Sequence, residues 1–177
     1  MSVAYPDVLE IMREISETKP NIQSFIIDSE LVAYNIDNSQ ILPFSHLQGR
    51  SRKHVNAEDL KTKIAIMAFD MLYFNGQSFL EETFEYRRKA LREELGELAG
   101  KFMFANASDT SSFEDLEKFL DQSVKDCCEG LMVKTLTVNS TYQPSKRSFN
   151  WLKLKKDYLE TSLGDSVDLV VVGADCG

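Results

Sequence analysis

The sequence predicts an α+β fold in which largely antiparallel sheets are flanked by helices. Two observations predict it: segments of strand composition outnumber segments of helical periodicity, and the connections between strands are short enough for hairpins. The 177 residues fit a single domain, with 43% hydrophobic and 27% charged content typical of a globular chain.

The elements follow in order. A helix is expected near Pro6–Glu17, then strands near Ser24–Tyr34, Gln40–Phe44 and Lys63–Phe74. The last of these is a nearly continuous apolar run, the mark of a buried strand, and Asn75-Gly76 closes it with turn residues. A helix near Glu81–Leu98 and a strand near Phe102–Ala105 come next. Ser111-Ser112-Phe113-Glu114 supplies a capping box for a helix whose apolar positions, Phe113, Leu116, Phe119, Leu120 and Val124, recur at helical spacing. That helix ends before Glu129, and strands near Gly130–Leu136, Asn150–Lys155 and Asp168–Val172 complete the list. There is no internal repeat, low-complexity tract or clear linker.

No apolar stretch reaches membrane-spanning length, and Met1-Ser2-Val3-Ala4-Tyr5 is not a secretory signal because Pro6 and Asp7 follow at once. Cys127, Cys128 and Cys176 have no zinc-like spacing, and His46 and His54 fit no metal or triad pattern. These features point to an intracellular chain. The net charge of -8 opposes non-specific attraction to nucleic acid. The charges are segregated, however: acids gather in 81–97 and 114–126, bases at Arg50–His54 and Lys146–Lys156. Arg50, Arg52 and Lys53 are candidates to touch a DNA backbone, a solvent-exposed basic turn being the plainer reading.

Four polar insertions into apolar strands carry chemistry. In Trp151-Leu152-Lys153-Leu154-Lys155, strand alternation puts Lys153 and Lys155 on one face with Trp151. Two ammonium groups side by side repel unless an anion such as a phosphate sits between them; the alternative is an edge strand blunted by lysines. Asp28 and Glu30 share a strand face with Ile26 and Val32, and a buried carboxylate needs a donor or a cation. Asp70 is the only charge inside the run 64–74, and its neighbour Phe69 either fills the core, the simpler reading, or offers a flat face to a planar ligand. Glu129 enters the strand Gly130-Leu131-Met132-Val133-Lys134 as a candidate ligand for magnesium, which takes one or two carboxylates and fills its other positions with water and phosphate.

Together and in this order, the four segments resemble motifs III, IIIa, IV and V of the covalent nucleotidyltransferases, the superfamily of ATP-dependent DNA ligases and messenger-RNA capping enzymes. The closer resemblance is to the eukaryotic DNA ligase I type, carried by Phe69-Asp70-Met71-Leu72-Tyr73-Phe74-Asn75-Gly76, by 123–136 and by 150–158, and extending from about Tyr5 to the last residue. It implies an adenylation domain using ATP and Mg2+. In it Glu30 holds the ribose, Phe69 stacks on adenine, Glu129 serves the metal, and Lys153 and Lys155 contact the nucleotide phosphate. Asp28, Asp70 and Lys134 have supporting roles. The resemblance further implies a nuclear, monomeric enzyme of replication, repair and recombination that seals nicks in duplex DNA through enzyme-AMP and DNA-adenylate intermediates.

One departure is decisive for the chemistry. The family's nucleophilic lysine lies in Lys-x-Asp-Gly ahead of motif III, and no such tetrapeptide occurs here. The chain is therefore expected to be a partial adenylation domain over 1–177, with the nucleophile before it and the OB-fold domain with motif VI after it, unable to adenylylate itself. A capping-type guanylyltransferase, an RNA-joining ligase and a catalytically inert nucleotide- or DNA-binding fragment are the alternatives.

Overall fold

A computed structural model describes residues 5–48, 63–126 and 128–155. Helix α1 (Pro6–Thr18) starts with proline in its first turn, where the ring needs no N–H partner, and buries Ile11 and Ile15, one turn apart. Strand β1 (Phe25–Asn35) turns into β2 (Gln40–Leu42), which is shorter than expected because Pro43 has no N–H to extend a ladder. A helical turn, α2 (Ser45–Gln48), follows that the periodicity did not announce.

Strand β3 (Lys63–Phe74) is the spine of the first sheet. It pairs antiparallel with β1 along one edge; its other edge takes the short β4 (Gln77–Ser78), antiparallel, and β5 (Phe102–Phe104), parallel. The expected antiparallel character thus holds apart from β5, which a crossover through helix α3 (Phe84–Glu94) brings back alongside β3. The Asn75-Gly76 turn has both residues at positive φ, 44° and 94°. Asn75 also accepts from the N–H groups of Gln23 and Ser24 and donates to Asn21 O, tying the hairpin to the entry of β1.

The β1–β3 register slips twice. Ile26 opposes Tyr73 and Ile27 opposes Met71, so Leu72 has no partner; Asp28 opposes Asp70 and Ser29 opposes Ala68, so Phe69 has none. The core positions of β3 consequently run Ile64, Ile66, Ala68, Met71 and Phe74, spaced by two and then by three. With Phe25, Ile27, Leu31 and Ala33 of β1, they form one buried face under α1 and α3, with Leu91, Leu95, Phe79 and Phe102. Asp28, Glu30 and Asp70 are left on the opposite face.

Helix α3 is shorter than the expected span: Thr83 caps its start by accepting from Tyr86 N, and Gly96, at φ 69°, follows its end. Helix α4 (Phe113–Lys125) begins at Ser112, one residue later than the expected box, because Thr110 Oγ1 accepts from Ser112 N and donates to Asp115. It packs on β6 (Gly130–Lys134), which forms a separate two-stranded sheet with β7 (Trp151–Lys155). The expected strand at 168–172 lies outside the described residues. No helix among the described residues is long and apolar enough to cross a membrane.

The shifted cap sets a test: Ser112→Ala should lower unfolding free energy by about 1 kcal/mol in urea titration, while Ser111→Ala should stay within about 0.5 kcal/mol of the parent.

Candidate nucleotide and metal site

In the β6–β7 ladder Gly130 lies opposite Lys155 and Met132 opposite Lys153, so both lysines project from one face beside the residue that enters β6. That residue is Glu129. Its Oε2 accepts from Lys153 Nζ at 3.1 Å and lies 3.8 Å from Lys155 Nζ. The anion that the lysine pair demanded is supplied by the metal candidate itself. The hydrogen bond from Lys153, reinforced by both ammonium charges, holds the Glu129 carboxyl below the usual carboxylate range. Gly130 permits this approach: at φ 151° any Cβ would overlap the Leu154 carbonyl oxygen of β7.

The first sheet presents a second group. Glu30 is exposed on the open face of β1. Phe69 is the unpaired residue of the bulge, half-buried, and belongs to neither apolar cluster nor to the residues packed against them, so the core-filling reading of this ring fails. Next to it Asp70 is fully buried and held bidentate by Arg87, Nε to Oδ1 at 2.7 Å and Nη2 to Oδ2 at 2.9 Å. Arg87 Nη1 donates to Glu82 O at 2.6 Å and to Ser140 O at 2.9 Å. Burial pushes the Asp70 carboxyl upward against the opposing pull of this guanidinium.

Arg87 joins the two sheets. The loop after β6 caps α3: Phe84 N donates to Ser140 Oγ and Glu85 N to Leu136 O, while Thr83 takes Tyr86 N and Arg87 N. All four N-terminal amides of the helix are thereby satisfied. Lys134 Nζ, at the end of β6, sits 4.6 Å from the Phe84 ring centroid and 4.1 Å from that of Trp151. Burial drives the Lys134 ammonium below the ordinary lysine range, with Asp70 and Asp28 opposing. Tyr142 donates to Asp28 Oδ2 at 3.4 Å and meets Trp151 edge-on. Asp28, Asp70 and Lys134, expected in supporting roles, thus form one network with Arg87, Tyr142 and Trp151.

The proposed site residues therefore stand in two groups: Glu129, Lys153 and Lys155 meet at one oxygen on the second sheet, and Glu30 and Phe69 occupy neighbouring strands of the first. The small cavity beside Lys134 and Trp151 is lined by neither group. Arg50, Arg52 and Lys53 lie outside the described residues. Among the described residues no three His, Cys, Asp or Glu side chains cluster to hold a metal. A single carboxylate beside phosphate-ready lysines is a donor set that fits magnesium carried in with a nucleotide. Arg87, Ser140 and Tyr142 escaped the sequence reading. The signal for Arg87 was its place one and two turns before Leu91 and Leu95 on a buried stripe, together with the unpaired Asp70.

Two measurements follow. In carboxyl-detected NMR the Glu129 side chain should titrate below an ordinary glutamate and return to the ordinary range in Lys153→Gln. Arg87→Met should cost about 3–5 kcal/mol in denaturant unfolding by leaving Asp70 buried and unpaired, with part of the loss recovered when Asp70→Asn is added.

The description "ATP dependent DNA ligase domain" matches residues 1–155. The chain is 49% identical over 170 residues to DNA ligase 1 of Arabidopsis thaliana, covering 96% of this chain and 21% of that protein. It is 49% identical over 178 residues to DNA ligase 1 of Schizosaccharomyces pombe, covering 100% of this chain and 23% of that protein. It thus spans about a fifth of the length of these relatives. The ligase domain of Mycobacterium tuberculosis LigD superposes with a TM-score of 0.62 at 24% identity, over 85% of this chain and 43% of that one. A mycobacterial DNA ligase D complexed with ATP and MES does so with a TM-score of 0.61 at 24% identity, over 86% and 43%. The mixed antiparallel fold is shared with these domains, and the chain belongs to the ATP-dependent DNA ligase domain family.

Proposed function

We propose that this chain supplies the nucleotide- and metal-binding part of an ATP-dependent enzyme that seals nicks in duplex DNA, acting in the nucleus as a monomer in replication, repair and recombination. The observation that carries the reading is the meeting of Lys153 and Lys155 at one oxygen of Glu129. Opposite charges gathered at a solvent-facing strand end provide for both partners of a metal-nucleotide complex: two cations for phosphate oxygens and a carboxylate for a hard divalent cation.

In this reading the nucleotide phosphate replaces Glu129 as counter-ion of Lys153 and Lys155, and their ammonium groups offset the charge that accumulates as pyrophosphate departs. Bound Mg2+ would supply charge neutralisation and polarisation at the phosphate. Glu129, released from the lysines, would hold the cation. Glu30 takes the ribose hydroxyls, and the Phe69 ring, turned out of the core by the bulge, lies against adenine. Arg87, through Asp70, fixes the strand segment next to that ring. The nucleophilic lysine is not among these residues, since the sequence contains no Lys-x-Asp-Gly. It belongs to a segment of a longer ligase, and AMP passes from it to the 5′-phosphate of the nick before the 3′-hydroxyl displaces it.

Labelled ATP should leave no alkali-stable, acid-labile adduct on the 177-residue chain, and a Lys-AMP there would overturn this division of labour. In a ligase carrying the chain together with its nucleophile, Lys153→Ala should slow AMP loading by about 10²-fold or more at unchanged melting temperature. Loading at the parent rate would remove Lys153 from the site.

A further inference from the structure

The loop between β6 and β7 folds into a small cavity whose walls include Arg87, Lys134, Lys146, Ser148, Asn150 and Trp151. No carboxylate lines it, although Asp and Glu outnumber Lys and Arg by 28 to 20 in the chain. Two of its cations are already engaged, Arg87 by Asp70 and Lys134 by the rings of Phe84 and Trp151. Lys146 and its neighbour Arg147 are exposed and have no acidic partner among the described residues. The Trp151 Nε1–H is buried with no hydrogen-bond partner.

The rim is equally one-sided. Phe149 is 95% exposed, the most exposed of the large apolar side chains among the described residues. It is held there by a pinned backbone: Thr135 N donates to Asn150 O at 2.9 Å, Trp151 N to Ser148 O at 3.4 Å and Lys146 N to Gln143 O at 3.4 Å. The interior volume of about 20 Å³ holds a water-sized group, such as one phosphate oxygen, and excludes a base or a whole nucleotide. An acceptor that is anionic, presents single oxygens and continues past the cavity onto two further cations and an aromatic ring is a polyanionic backbone.

We propose that residues 146–149 form a contact for the sugar-phosphate backbone of duplex DNA. One phosphodiester oxygen seats at the cavity mouth beside Lys146, Arg147 meets the neighbouring phosphate, and Phe149 lies against the intervening sugar. This contact rests on the DNA-joining reading given above, and is separate from the Glu129, Lys153 and Lys155 end of the hairpin, which lies at the other end of the ladder.

Fluorescence anisotropy of the chain with a labelled nicked duplex, over about 50–200 mM salt, tests it. Lys146→Gln with Arg147→Gln should reduce the slope of log K against log salt by about 1.8, at about 0.9 per phosphate contact. Phe149→Ala should weaken binding with the slope unchanged. ATP binding by equilibrium dialysis should be the same in all variants. The Trp151 indole N–H resonance should shift with the duplex and not with inorganic phosphate at equal phosphate concentration. Parent-like affinity and slope in the double variant would overturn the contact alone, leaving the ligase reading intact. A shift with inorganic phosphate and none with DNA would overturn the backbone assignment. No affinity of the parent chain for the duplex would overturn the contact, and no nick sealing by a ligase that carries the chain would overturn the DNA-joining reading.

Discussion

The ion pair between Arg87 and Asp70 is the joint on which the remaining geometry depends. Both side chains are buried to within 1% exposure, and a pair so desolvated is retained only with excellent geometry and every remaining proton placed. Arg87 comes close to that condition by giving both Nη1 protons to the carbonyls of Glu82 and Ser140, so that four of its five N–H groups have partners. Four pieces of chain therefore converge on one guanidinium: β3, α3, the turn before it and the loop after β6. The loop answers by capping α3, so the helix that carries Arg87 and the loop that receives it hold each other in place.

This joint determines where the second sheet sits. Lys134 closes β6 between two aromatic rings, near enough to Asp70 and Asp28 to feel both charges. The hairpin that carries Glu129, Lys153 and Lys155 is thus oriented by charge and ring contacts at its loop end, while its other end stays open to solvent. Such a division suits a ligand site. The rigid end sets direction, and the exposed end keeps side chains free to exchange partners.

Much of this was readable from the sequence, for identifiable physical reasons. Strands β1 and β3 were visible because runs of β-branched and aromatic residues of that length have few alternatives, and the Asn75-Gly76 turn because its residues tolerate positive φ. The shared face of Lys153 and Lys155 followed from strand alternation alone. What alternation could not supply was the counter-ion: Glu129 is 24 residues from Lys153 in sequence, and only strand pairing brings them together. Arg87 was hidden because it shares its helix with other exposed basic and acidic residues and differs from them only in facing inward. The cap of α4 was misplaced by one residue because consecutive serines offer the same hydroxyl, and the choice falls to Thr110 outside the motif.

The two bulges of β3 have a consequence for how this strand tolerates change. Each inserts one residue and inverts the inside-outside phase; the second cancels the first, so only Asp70 and Met71 are read in the altered frame. Loss of the unpaired Phe69 or Leu72 would close its bulge and leave every later position of the strand, and its hairpin with β4, in phase with β1. Loss of both would give a regular ladder with Met71 and Phe74 still facing the core, and would remove the local bend and twist that the bulges supply. Families built on this strand should therefore accept single-residue length changes at these two positions more readily than at its paired ones.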